Sequence, residues 1–116
     1  MIWQFLYLLA AHWFADFVLQ THWQASNKSK NNRALARHVL VYTSCLTVAS
    51  VALFGVVGLA YGLFNGALHL ATDAVTSRIT ARLYAKQDWH NFFVVVGFDQ
   101  LIHQVTLGLT MWWLIT

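Results

Sequence analysis

From Val39 to Leu68 the chain carries neither a charged residue nor a histidine. One bilayer crossing takes roughly 20 apolar residues, so this run is too long for one span and accommodates two only if the second continues past it. Glycines at positions 55, 58, 62 and 66 offer places for the chain to turn back, or small surfaces for interhelical or intersubunit contact. Helices are therefore expected over about 36–57 and about 60–82. The composition agrees: 59% of the 116 residues are hydrophobic and 9% charged, with a mean hydropathy of +0.54. That balance excludes an ordinary soluble domain and points to an integral membrane protein, a single domain over residues 1–116. Proline is absent and no strand-length segment alternates apolar with polar residues. A transmembrane β-barrel is thus disfavoured, and the expected class is all-α.

The stretch from Ile2 to Leu19 is apolar except for Gln4, His12 and Asp16, and makes the first expected span. Its small Ala10-Ala11 pair also suits a cleavable signal peptide. Against that, no basic segment precedes the apolar run, which continues past the pair; a mature helix is expected. A polar connection, Thr21 to Arg37, follows with Lys28, Lys30, Arg33 and Arg37, and a second, Lys86 to Asn91, leads into a last helix from Phe92 to the C-terminus. All seven basic residues lie in these two connections or at the adjoining helix ends. In a four-transmembrane-helix bundle the first and third connections share a side. The positive-inside rule makes that side cytoplasmic and puts both termini on the outer side. Trp3 and Trp112-Trp113 would mark one membrane interface, Trp23 and Trp89 the other. Cys45 stands alone, can form no intramolecular disulfide, and is expected to pack.

Within these apolar helices sit His12-x3-Asp16, His69-x3-Asp73 and Asp99-x3-His103. Four-residue spacing puts both members of a pair on one helical face, roughly 6 Å apart. With six histidines in 116 residues, an acid meets a histidine four positions away about one time in ten, yet three of the four acids do. Helix 4 runs opposite to helices 1 and 3, and its pair is written in the opposite order. Asp16, Asp73 and Asp99 are therefore expected in one layer and His12, His69 and His103 in the next, in the cytoplasmic half, with His38 joining the aspartates. Converging carboxylates repel one another in a low dielectric unless a cation or protons intervene. A divalent metal is the expected cation, held by His12, Asp16, His38, His69, Asp73, Asp99 and His103. Imidazole with carboxylate suits Zn²⁺ first, then Mn²⁺ or Fe²⁺. Seven candidates exceed one tetrahedral shell, so two ions, or one ion with outer carboxylates orienting histidines, are both open. Any one pair, taken singly, also fits an interhelical hydrogen bond.

Near the cytoplasmic mouth, Gln20, Lys28 and Gln100 are expected as a substrate rim, with Arg33, Arg37 and Arg78 able to approach from the connections; topology and headgroup contact explain the basic residues equally well. Tyr42, one turn after His38, either donates a hydrogen bond in the bundle or packs. Asp88 with His90, and His22, are expected to be solvated or interfacial.

The segments His12 to Gln20 (HWFADFVLQ) with Lys28 following, His38-Val-Leu-Val-Tyr42, His69-x3-Asp73 and Phe98-Asp-Gln-x2-His103 resemble, in order and over most of the chain, a domain-of-unknown-function family of small bacterial and phage membrane proteins. The resemblance implies a four-helix protein of the bacterial inner membrane and carries no settled activity. A looser similarity, in helix-borne histidines and aspartates, is to bacterial membrane-bound metal-dependent hydrolases. The leading expectation is accordingly a metal-dependent hydrolase acting on a phosphoester or lipid-linked substrate at the cytoplasmic interface, with Asp16, Asp73 and Asp99 as the catalytic carboxylates. A divalent-metal or proton transporter, a metal-stabilised interaction module and, less well supported, a haem protein are the rivals. Membrane lipids are the expected partners, homo-oligomers are open, and no nucleic acid is expected.

Overall fold

The computed structural model describes residues 1–116 and is all-helical. Helix α1, Ile2–Trp13, passes into a π-helical turn, Phe14–Val18; a short α2 covers His22–Asn27, and three long helices follow: α3, Asn32–Phe54, α4, Val57–Ala85, and α5, Trp89–Ile115. Local sequence sets the boundaries. Thr21 and Gln24 form a reciprocal capping box at the start of α2. The Asn31 side chain accepts from the Arg33 amide at 2.8 Å to start α3, and Asp88 accepts from the Asn91 amide at 3.3 Å to start α5. Gly55 ends α3 at φ +64°, a conformation open to glycine and costly for other residues. The expected first connection, 21–37, is thus partly helical, and α3, α4 and α5 each begin a few residues earlier than anticipated: polar caps set the starts of α3 and α5, whereas α4 starts at Val57 with no side-chain cap, directly after the Gly55 turn.

The long helices pack antiparallel. Tyr42 on α3 meets His12 on α1; Gly58, Gly62 and Gly66 on α4 lie against Ser50, Thr47 and Thr43 on α3; Asn65 on α4 meets Thr110 on α5. A Cβ on Gly58 would overlap the Ser50 and Val51 backbone, and one on Gly62 would meet Thr47 Cα at 2.6 Å. Of the four glycines expected to turn the chain, only Gly55 does so. The other three let two helices approach closely, as small residues do in membrane helix pairs.

One half of the interior is apolar, formed by Leu8, Leu46, Tyr61, Leu107 and Met111. The other half is polar: His12, Asp16, His38, His69, Asp73 and His103 are each buried. The outer surface has the reverse character, with Trp3, Leu40, Val48, Phe93 and Trp112 at least 67% exposed. Helices α3 and α5 are long and apolar enough to cross a membrane. Helix α4 is longer still, but its inward face carries Asn65, His69, Asp73, Thr76 and Ser77.

Candidate metal centre

The π-helical turn is where the site begins. Leu19 N–H donates to the Phe14 carbonyl at 2.9 Å, an i→i+5 bond that widens the helix by one residue around Asp16. Such turns recur at functional sites. From it, Asp16 Oδ1 faces His38 Nε2 at 3.0 Å and His69 Nε2 at 3.6 Å. Asp73 Oδ2 lies 3.3 Å from each of the same two nitrogens, and the nitrogens lie 3.1 Å apart. Four ligand atoms from the π turn, α3 and α4 therefore converge in a buried group that could hold a metal ion. Their spacing matches the ligand–ligand edge of a tetrahedral zinc site, about 3.3 Å for zinc–ligand bonds near 2.0–2.1 Å. Two carboxylates and two neutral imidazoles would balance a divalent charge.

Packing holds the His69 ring. It is stacked between Tyr42, 3.8 Å away by ring centroids, and His103, at 4.2 Å. Its Nδ1 is buried without a hydrogen-bond partner, so ring stacking fixes the orientation that a hydrogen bond usually fixes in metal-ligating histidines. His12 closes the histidine layer, 5.4 Å from His103 and 6.4 Å from His69 by ring centroids.

His12 nevertheless lies outside both groups of converging ligand atoms. Its Nε2 bonds to Gln100 Oε1 at 2.9 Å, and its Nδ1 to the Tyr42 hydroxyl at 2.7 Å. Because the amide oxygen can only accept, neutral His12 is protonated at Nε2, and Tyr42 donates to Nδ1. Gln100 in turn donates through Nε2 to Asp16 Oδ2 at 3.2 Å and Asp99 Oδ2 at 3.1 Å. The chain Tyr42 to His12 to Gln100 thus orients two carboxylates, a positioning role where metal ligation was expected of His12. Gln100 has the same inward role while also lining the cavity that opens around Lys28. Thr76 adds a bond to Asp99 Oδ1 at 2.5 Å. It sits three residues after Asp73 on the same face of α4, a spacing visible in the sequence.

A second group, Asp16, Asp99 and His103, also brings its ligand atoms within 4.8 Å of one another. His103 Nε2 is 3.4 Å from both Asp99 Oδ2 and Asp73 Oδ1.

Lys28 reaches further in than a rim residue, placing Nζ 3.0 Å from Asp73 Oδ2. Around it opens a cavity of about 710 Å³ between the π turn with α2 on one side and α4 with α5 on the other. Asp16, Asp73, Asp99 and Gln100 form its polar floor, Lys28, Lys30 and His22 its basic side, and Phe17, Tyr84, Phe92 and Val96 its apolar wall. Gln20 lines it too, with its buried Oε1 unpaired. The arginines do not. Arg37 lies over the Trp23 ring at 5.3 Å, Arg78 donates to the Ala74 carbonyl at 2.6 Å, and Arg33 is exposed. Asp88 is half-buried and caps α5.

A family model described as a protein of unknown function, DUF3307, matches residues 4–116. No curated protein and no solved structure matches the chain.

Proposed function

We propose that this chain, which belongs to the DUF3307 family, is a metal-dependent hydrolase of the bacterial inner membrane that acts on a phosphoester, lipid-linked substrate at the cytoplasmic face. The observation that carries the reading is the convergence of Asp16, His38, His69 and Asp73 at tetrahedral spacing on the floor of a cavity that is basic on one side and apolar on another. A divalent cation held there, Zn²⁺ by the donor set, would supply Lewis-acid polarisation of a phosphoryl oxygen and a more acidic water, either in a fifth coordination position or in one that Asp73 gives up to Lys28. The protein's own groups do the rest. Lys28 and Lys30 attract the anionic headgroup, Phe17, Tyr84 and Phe92 receive the hydrocarbon next to it, and Asp99, the least buried of the three carboxylates, faces the cavity where the substrate enters.

The inverted burial pattern, with polar groups inside and large apolar side chains outside, supports the membrane setting. All four long segments cross the bilayer, α4 included, because its polar residues face the interior. Both termini lie on the outer side, and α2 with the α4–α5 connection lies on the basic, cytoplasmic side. Leu8, Leu46, Tyr61, Leu107 and Met111 pack the outer half, where the buried polar groups, Ser50, Asn65 and Thr110, are neutral and none is a histidine or a carboxylate. That favours hydrolysis at one face over transport across.

The test is phosphate release by purified, detergent-solubilised protein. Zn²⁺-loaded wild type is expected to release inorganic phosphate from a lipid phosphate in mixed micelles, and Asp73→Asn to lower the rate by roughly a hundredfold or more. Zinc-bound wild type that leaves every lipid phosphoester intact would refute hydrolysis. Uptake of Zn²⁺ into proteoliposomes by the same preparation would replace it with transport.

A further inference from the structure

We propose that the site is dinuclear: a second divalent cation binds between Asp99 and His103, and Asp16 bridges it to the first. The proposal rests on the first metal centre and extends it. Its basis is the way two carboxylates divide their oxygens. Asp16 turns Oδ1 toward His38 and His69, and Oδ2 toward Gln100 Nε2, which also contacts Asp99 Oδ2. Asp73 turns Oδ2 toward His38 and His69, and Oδ1 toward His103 at 3.4 Å. Asp16 thus belongs to both groups of converging ligand atoms, while Asp73, outside the second group, offers its other oxygen to His103 alone; a carboxylate shared between two groups is the arrangement in which two metal ions sit about 3.5–4 Å apart.

The second position has its own donors. His103 Nε2 and Asp99 Oδ2 lie 3.4 Å apart, near the tetrahedral edge of about 3.3 Å found for the first group. The Gln100 amide nitrogen, at 3.1 and 3.2 Å from Asp99 Oδ2 and Asp16 Oδ2, presents its two N–H donors to the oxygens a cation would bind. It is a neutral stand-in, anchored through its oxygen to His12, and it moves aside for the metal. The two positions also differ in access. His38, His69 and His103 all lie behind the floor of the cavity; among the carboxylates that line it, Asp99 is the most exposed, at 13% of its side chain against 4% or less for Asp16 and Asp73. The first ion is the deep, fixed one and the second meets the ligand.

Charge indicates what that ligand is. With neutral imidazoles, the three carboxylates and Lys28 leave two negative charges. Two divalent cations convert these to two positive charges, which a phosphomonoester dianion neutralises and a neutral ester does not.

The experiment is metal counting on the full-length protein in detergent, loaded with Zn²⁺ and freed of excess by gel filtration. Wild type is expected to retain about two Zn²⁺ per chain, and Asp99→Asn or His103→Ala about one. One Zn²⁺ in wild type, unchanged in Asp99→Asn, overturns the second site and leaves the first standing; no Zn²⁺ in wild type overturns both. Mn²⁺-loaded wild type gives a reading independent of any variant's folding. An exchange-coupled pair spectrum by electron paramagnetic resonance supports the bridge, and isolated six-line Mn²⁺ at full occupancy overturns it.

Discussion

Tyr42 and Lys28 separate what holds the site together from what it binds. The Tyr42 ring stacks on His69 while its hydroxyl satisfies His12. Tyr42→Phe keeps the stack and leaves the buried Nδ1 of His12 without a donor, so it is expected to destabilise the fold by about 1–3 kcal/mol in a reversible denaturation series while Zn²⁺ stoichiometry stays unchanged. A loss of metal in that variant would make Tyr42 part of the coordination itself. Lys28 places its ammonium on the Asp73 oxygen that faces the metal position. Lys28→Met is expected to tighten Zn²⁺ binding by roughly tenfold, because a competing cation is gone, while raising KM for an anionic substrate. Unchanged Zn²⁺ affinity, measured by competition with a chelator, would show that Lys28 and the metal do not share Asp73. The helical four-residue spacing made the three aspartates, His69 and His103 legible, since a helix converts that spacing into a shared face. That His12 would be consumed by Tyr42 and Gln100, one 30 and the other 88 residues away in the chain, could not be read from spacing at all. Such pairings exist only once helices from distant segments are packed.

Among the elements, the contact between α3 and α4 depends on glycine. Gly62→Val is expected to force the helices apart and cost about 1–3 kcal/mol or more, because the new side chain meets the Thr47 backbone at the Cα. Gly97→Ala on α5 has open space around its Cβ and is expected to be neutral or to stabilise by up to about 1 kcal/mol through helix propensity. Equal behaviour of the two in thermal melts would remove the close-packing account. At the start of α5, hydrogen bonds from the Asn91 side chain and backbone hold the Asp88 carboxyl below its ordinary range. The cap is therefore intact at neutral pH and is lost only as pH falls through that lowered value; Asp88→Ala is expected to speed amide exchange at Asn91 at pH 7. The four long segments were legible from their apolar runs. The starts of α3 and α5 were not, because they depend on the caps at Asn31 and Asp88. Helix α2 was signalled by Thr21-x2-Gln24, but its polar composition reads equally as a loop. The π turn has no comparable signature: nothing in Phe14–Val18 distinguishes it from a continuing α-helix.

For the molecule as a whole, orientation and metal content are the quantities to measure. With Cys45 replaced by alanine, a cysteine at Ser29 or Gln87 is expected to stay unlabelled by a membrane-impermeant maleimide added to intact spheroplasts and to label once they are lysed. Labelling before lysis would invert the topology and move the cavity to the outer face. The metal itself is best addressed by X-ray absorption at the zinc edge, on protein loaded with Zn²⁺ and passed over a desalting column. The expected spectrum has a first shell of nitrogen and oxygen only, near 2.0–2.1 Å, with the outer-shell scattering of imidazole rings, and both features weaken together in His38→Ala and His69→Ala. Folded wild-type protein that emerges free of zinc, or zinc without imidazole scattering, would contradict a metal centre built from Asp16, His38, His69 and Asp73.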